Sequence, residues 1–439
     1  DDEILYSGIL NLRKDEDAIT ALDALSMTGL NYKFKGSYVS EIDGLKEKTR
    51  GALSGWKYKV NNKIPSQSAD NYYLKSNDVV IWYFAENPSD EGPTLGSLIN
   101  QNEKEKPKQS NINVSAARSE DEKALSDAII NNGEAVITVK EGRNGAVYLS
   151  GATLLSLNEK TIHLTIKNGD TLVSIANNSI AKEFLEKAKG NYKGSVEVKV
   201  NKFTKEAKEE FLEKVDAGIM KGFADIGGDI FEIGSRIVYT DSEGIIENEE
   251  RIEAFFEPLE VTMPVPANLS EEEAKRLTAI RYERDENGNI IPVKIGGKYD
   301  PNTKTVTFYA EKSGSYGIMK AENLTRLNLQ IDEQSVVIDD EEKSIDVPPM
   351  IINNRTMMPV RFISEALNAQ VDWVPETRKV IITINNKVIE LTIGEMSEGM
   401  DTPPVIMNDR TLVPVRYISE KLGANVLWIP SSRTVQIVN

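Results

Sequence analysis

Residues 348–384 read PPMIINNRTMMPVRFISEALNAQVDWVPETRKVIITI, and residues 403–439 read PPVIMNDRTLVPVRYISEKLGANVLWIPSSRTVQIVN. At an offset of 55 the two stretches share 20 identities in 37 aligned positions, so this part of the chain is an internal duplication. Each copy parses as strand, Asn-Asn or Asn-Asp turn, strand, helix, strand, turn, strand. Pro359 and Pro414 stand where the helix begins, because the first turn leaves proline's missing N–H unused. Val360, Ile363 and Leu367 recur at helical spacing, as do Val415, Ile418 and Leu422. Asn368 and Gly423 share the closing position, and both tolerate a left-handed cap. Val371-Asp372-Trp373 and Val426-Leu427-Trp428 then restart an extended run, with both tryptophans expected to be largely buried at equivalent places. Arg361 and Arg416 occur in both copies, which favours a structural pairing with Glu365 and Glu420 one helical turn on. The expectation is a pseudo-symmetric β-rich domain over 326–439 with two short helices.

This tandem resembles the domain family named after the N-terminal stalk of copper amine oxidases. The resemblance implies a non-catalytic appendage, of a kind widespread on secreted and surface proteins of Gram-positive anaerobes. No copper chemistry is expected from it, since 326–439 contains no histidine.

Residues 1–86 form a second unit. Ile19, Leu22, Leu25 and Met27 mark a short amphipathic helix closed by Gly29, and Tyr38-Val39 and Ile42-Asp43-Gly44 read as a strand and turn. Trp56, Tyr58 and Val60 alternate against Lys57 and Lys59, a half-buried strand followed by the hairpin signal Asn61-Asn62. Val79–Phe84 closes the unit. This order of helix, IDG turn, GWKYKVNNK hairpin and NDVVIWYF strand is similar to the transcobalamin-C-terminal-like family, which implies a small β-grasp-like domain. Asn62 and Asn77 stand where that family usually has glycine, and asparagine accepts the same left-handed conformations.

Residues 87–112 are polar and rich in Pro, Gly, Ser, Lys and Glu, the composition of a linker. Residues 113–325 read as a β-sandwich or meander. Strands are expected at Ala135–Val139, Thr161–Ile166, Ser195–Val200, Ser235–Tyr239 and Glu260–Val265, and helices at Glu120–Asn131 and Ala181–Ala188. Its ending, from VTMPVP through YDPNTKTVTF to SGSYGIM, is similar to repeat modules of clostridial surface proteins, often found beside S-layer homology domains. The fold class is therefore α+β, β-rich and multidomain.

Composition removes most catalytic options. The chain of 439 residues suits about three domains at roughly 150 residues each. It has no cysteine and a single histidine, His163, which excludes thiol nucleophiles, disulfides and Cys-based metal sites. With Lys+Arg 52 against Asp+Glu 69 the net charge is −17, so neither nucleic acid nor an anionic membrane surface is an expected partner. No apolar run approaches the roughly 18 residues of a membrane helix.

His163 alternates with Ile162 and Leu164, the pattern of a strand-rim residue with no nucleophile motif around it. Asp285-Glu286-Asn287-Gly288-Asn289 has the oxygen-rich start of a calcium loop, but flanking strands make a hairpin turn the better reading. The runs Asp339-Asp340-Glu341-Glu342 and Glu271-Glu272-Glu273 are consecutive, whereas a glycosidase needs two carboxyls across a cleft. Catalytic, metal and cofactor residues are thus not expected.

The aromatics Trp56, Tyr58, Tyr72, Tyr73, Trp82 and Tyr83 are the best ligand or partner face: a row of rings could stack on sugars or cradle a corrinoid, as relatives of the fold do. The plainer reading makes half of them core. For self-association the candidate strands are Ile4, Leu5, Tyr6, Ile9 and Leu10, and Val435 and Ile437, because open strand edges accept further strands. The functional expectation is a secreted, cell-surface structural protein, its signal peptide removed. It would pair with itself in a layer or fibre, with cell-wall polysaccharide as a further partner. The alternative is a displayed binding protein for carbohydrate or a corrinoid.

Overall fold

The alternation of Trp56, Tyr58 and Val60 with Lys57 and Lys59 becomes one arm of an antiparallel hairpin. The computed structural model describes residues 20–26, 32–35, 38–42, 45–48, 54–61, 63–75, 78–85, 87, 89–90 and 92, then 112–439 except 132–133, 177, 190–193, 216–217, 267–268 and 286–288. It divides into the units Asp1–Gln109 and Ser110–Asn439. The first contains α1 (Ala21–Ser26), an antiparallel sheet of β1 (Tyr32–Lys35), β2 (Tyr38–Ile42) and β3 (Leu45–Lys46), and the hairpin of β4 (Gly55–Val60) with β5 (Val80–Ala85). Its register sets Trp56 opposite Phe84 and Tyr58 opposite Trp82. Paired residues share a face, and this face packs against Leu22 and Leu25 of α1 and against Val39 and Ile42 of β2.

The second unit opens with α2 (Val114–Asn131), β6 (Glu134–Thr138), β7 (Ala146–Leu149), α3 (Gly151–Glu159), β8 (His163–Asn168) and β9 (Thr171–Ile175). There follow α4 (Lys182–Lys189), β10 (Gly194–Lys202), α5 (Lys205–Glu213), β11 (Phe223–Thr240), β12 (Ile246–Ile252), β13 (Ala254–Pro264) and α6 (Glu271–Lys275). The module ends with β14 (Leu277–Arg284), β15 (Ile290–Gly296), β16 (Lys298–Asp300), β17 (Thr305–Lys312) and β18 (Gly314–Ala321). One sheet runs β15-β14-β18-β11-β10-β7 with β12 also on β11; the other runs β16-β17-β13-β9-β8-β6. Both feed one core, where Val196, Val198, Ile233 and Ile237 meet Leu164, Ile166, Val261 and Phe308. The outer face of the first sheet is covered twice. Val114 and Ala117 of α2 cluster with Tyr148 and Val238, and Phe211 and Leu212 of α5 pack by Ile280 and Tyr282.

The duplicated segment contains β19 (Arg326–Gln330), β20 (Ser335–Ile338), β21 (Glu341–Ser344), β22 (Met350–Ile352), β23 (Arg355–Pro359), α7 (Val360–Ala366), β24 (Gln370–Val374), β25 (Lys379–Ile384) and β26 (Lys387–Thr392). The second copy supplies β27 (Val405–Met407), β28 (Arg410–Pro414), α8 (Val415–Lys421), β29 (Asn425–Ile429) and β30 (Thr434–Val438). Three sheets result: β22-β23-β28-β27, β24-β25-β26 and β21-β20-β19-β30-β29. The turn pairs Asn353-Asn354 and Asn408-Asp409 all have positive φ, the geometry that tightens a two-residue hairpin. Asn368 and Gly423 close their helices at φ 63 and 92, as the sequence requires. Arg361 reaches Glu365 at 3.3 Å and Arg416 reaches Glu420 at 3.4 Å.

The halves are closed by a strand from elsewhere. On β25 Ile382 faces Ile389 of β26; its repeat-mate Ile437 on β30 faces Leu327 of β19. Chain that precedes the first copy therefore completes the second. The tryptophans depart from expectation. Trp373 is 38% exposed and Trp428 is only partly buried against the core. Val371 and Val426, two residues earlier on the same face, take the deep positions, which leaves both rings at the rim.

The fold is α+β and β-rich. The expected turns at Asp43-Gly44 and Asn287-Gly288, the cap Gly29, and Met27, Asn62 and Asn77 lie outside the described residues, as does most of 87–112.

Candidate functional site

The six aromatics do not make one exposed row. Trp56, Tyr58 and Trp82 share the inner face of the hairpin, with Tyr58 and Trp82 stacked at 5.2 Å and Tyr72 edge-on to Tyr58 at 6.2 Å. Trp56 Nε1 donates to the Leu45 carbonyl at 2.8 Å and the Tyr58 hydroxyl to the Gln67 carbonyl at 2.7 Å. Burial pushes the Tyr58 phenol up to about 12. Tyr83 points to the opposite face, buried beneath Gly92 and Lys59, whose Nζ lies 5.6 Å from the ring centre. Tyr73 alone is widely exposed, at 58%. A small unit has to spend its largest apolar side chains on its own core, so the row of rings becomes packing.

Of the candidate assembly strands, Ile4, Leu5, Tyr6, Ile9 and Leu10 lie outside the described residues. Val435 and Ile437 are corrected as free-edge residues. Their strand β30 is paired on both sides, with β19 and with β29, and the two side chains are buried. A strand with both edges hydrogen-bonded has nothing left to offer a partner.

Within the second unit the duplicated domain is fixed to the sandwich. β29 and β30 pack on β15, and a Cβ on Gly296, at φ 83, would stand 3.0 Å from Val438 Cγ2. Ser431 donates through its N–H and its hydroxyl to the carboxylate of Glu257, itself buried in a β13 bulge. The Arg326 guanidinium reaches the carbonyls of Leu277 and Gly297 at 3.4 Å and Asp340 at 3.2 Å. Beside it opens a cleft of about 500 Å³ lined by Lys275, Lys298, Tyr299, Asp340 and Glu342. Its charges are mixed, and Arg326 is already engaged.

The two halves differ where they face outward. On the second, Leu427, Ile429 and Val438 are buried at the junction; their repeat-mates Asp372, Val374 and Thr383 are exposed or half-buried. The halves also differ at one edge. In the second, β20 pairs along β19 with Leu327 opposite Ile338 and Leu329 opposite Val336. In the first, β26 ends the sheet β24-β25-β26. A sequence cue existed: β19 precedes β26 by 62 residues (Leu327 to Ile389), but the repeat proper runs at 55 (Asp346 to Asp401), and the difference of 7 is the room taken by the β20-β21 hairpin.

Several charged groups tie neighbouring elements together. Asp121 accepts from Arg143 at 2.7 Å and from the Tyr148 N–H at 2.9 Å, tying α2 to β7; burial still raises its carboxyl. Glu197 grips Arg236 through two bonds, at 2.9 and 2.8 Å. Glu273 closes the capping box of α6 and meets Lys320 at 2.7 Å, contacts that hold its carboxyl down to about 2. His163 is exposed on β8. Asp285 Oδ1 accepts from the Asn289 N–H at 2.8 Å, a turn contact. Among the described residues no group of three or more His, Asp or Glu converges on a point. No helix among them is long and apolar enough to cross a membrane.

Comparison with known families agrees with the duplication. Residues 294–382 and 337–437 match the copper amine oxidase N-terminal domain, the non-catalytic part of those enzymes. The two matches end at repeat-mates, Ile382 and Ile437. Residues 16–86 match a domain of unknown function (DUF4430), compatible with a transcobalamin-like unit. No curated protein matches the chain.

Proposed function

We propose that the protein is a non-enzymatic structural subunit of an extracellular layer or fibre, with copies of itself as principal partners. The observation that carries this reading is the junction at β15. The duplicated domain is seated there by Leu427, Ile429 and Val438 and by the Glu257–Ser431 bond. A domain fixed to its neighbour by buried apolar surface resists relative motion and so holds position, which suits a spacer or lattice subunit. The packing of Trp56, Tyr58 and Trp82 into their own core supports assembly over a ligand face for sugars or a corrinoid.

Negative-stain electron microscopy of the native protein tests the reading. Regular sheets or fibres are expected. Dispersed monomers at high concentration would count against assembly. Glycan or corrinoid binding by those monomers would move the choice to the displayed-binder alternative.

A further inference from the structure

We propose that β26 is a strand acceptor, and that its partner is β26 of a second copy, paired antiparallel about a two-fold axis. The inference rests on the assembly reading above. The duplication itself shows that a strand fits. In the second half the corresponding strand, β19, carries β20 on the side that β26 leaves open among the described residues. There Val336 of β20 stands opposite Leu329 and Ile338 opposite Leu327, and Val336 is fully buried. The places of Leu327 and Leu329 are taken in β26 by Ile389 and Leu391, both buried.

The occupant must therefore present apolar residues at alternate positions on the core side. β26 meets that description. Pairing it with its own copy so that Ile389 faces the second copy's Leu391, and the reverse, repeats the apolar matching of β19 with β20. The same register sets Val388 opposite the second copy's Thr392 on the outward face. Val388 is 56% exposed, an apolar side chain on an edge strand that has neither proline nor bulge to blunt it. Glu390 falls opposite its own copy, and each Glu390 is balanced by Lys379 on the neighbouring strand at 2.9 Å. By contrast, β21, an edge strand of the five-stranded sheet, exposes Glu341, Glu342 and Lys343, a charged edge of the kind that repels strands.

The register supplies its own test. Val388 and Thr392 point outward, so Val388→Lys with Thr392→Lys leaves the fold intact while opposing like charges across the contact. Association of the full chain, measured by sedimentation equilibrium, should weaken roughly tenfold or more. Val388→Lys with Thr392→Glu places opposite charges in register and should restore it. Assembly unchanged by the double lysine variant, or not restored by the Lys/Glu pair, overturns β26 as the joint and leaves the structural reading standing. A wild-type chain that stays monomeric overturns both.

Discussion

Met358 and Val413 lie directly opposite one another on adjacent antiparallel strands, and they are repeat-mates. Around them Met357 pairs with Pro414 and Pro359 with Leu412, so a local two-fold passes between the two side chains. The exchange extends to charge: Arg355 reaches Asp401 and Arg410 reaches Asp346, each arginine bonding the other copy's aspartate. Duplication, then, built a domain whose halves hold each other at their shared sheet.

Both central side chains are fully buried, so Met358→Ala should cost about 2–5 kcal/mol by urea unfolding. A cost below about 1 kcal/mol would mean that the halves are held mainly elsewhere.

Ser364 and Ser419, also repeat-mates, are fully buried in α7 and α8, and their hydroxyls have no hydrogen-bond partner among the described residues. An unpaired buried hydroxyl costs about 1–3 kcal/mol, so Ser364→Ala and Ser419→Ala should be neutral or stabilising, and roughly additive. A large loss in either variant would reveal a partner that the hydroxyl serves.

Acid stability has a marker in Glu273. Lys320 and the Ser270 cap hold its carboxyl at about 2, below the ordinary 4.5. A depressed carboxyl stabilises the fold above its ordinary pKa and loses that contribution as pH falls through the folded value. Glu273→Gln should therefore flatten the fall in melting temperature between pH 4.5 and about 2. An unchanged profile would assign the acid sensitivity to other groups.

The duplicated domain was legible in the sequence because its signals are local. Pro359, Asn368 and the Asn-Asn turn each specify backbone geometry locally, and each has a counterpart 55 residues on, in Pro414, Gly423 and Asn408-Asp409. The middle module was legible only where strands alternate or turns are marked. β7 passed unnoticed because all four of its residues are buried, leaving no period to read. Closure of the second half by β19 was not legible, since that pairing joins Leu327 to Ile437 across the whole domain. Whether the aromatic row is core or ligand face was not legible, for a different reason. Alternation tells which residues share a face and is silent on whether that face is wet.

The two halves also differ at the surface that meets β15. Leu427 is 4% exposed at the junction with β15, and its repeat-mate Asp372 is exposed. That one difference helps decide which half docks, because a carboxylate at position 427 would be buried without a partner. Leu427→Asp should cost about 3 kcal/mol or more, from lost apolar burial and the desolvated charge together. The duplicated core, built on Val426 and Ile437 on the other face of the sheet, should survive. Calorimetry should then separate the melting of the duplicated domain from that of the sandwich, and limited proteolysis should open the chain between β18 and β19. The converse change, Asp372→Leu, should leave stability within about 0.5 kcal/mol, as surface changes usually do. It should instead enlarge the apolar outer face around Val374, Ile381 and Val388 and raise non-specific association on light scattering. If Leu427→Asp melts in a single transition at the wild-type temperature, the β15 junction does not couple the two modules.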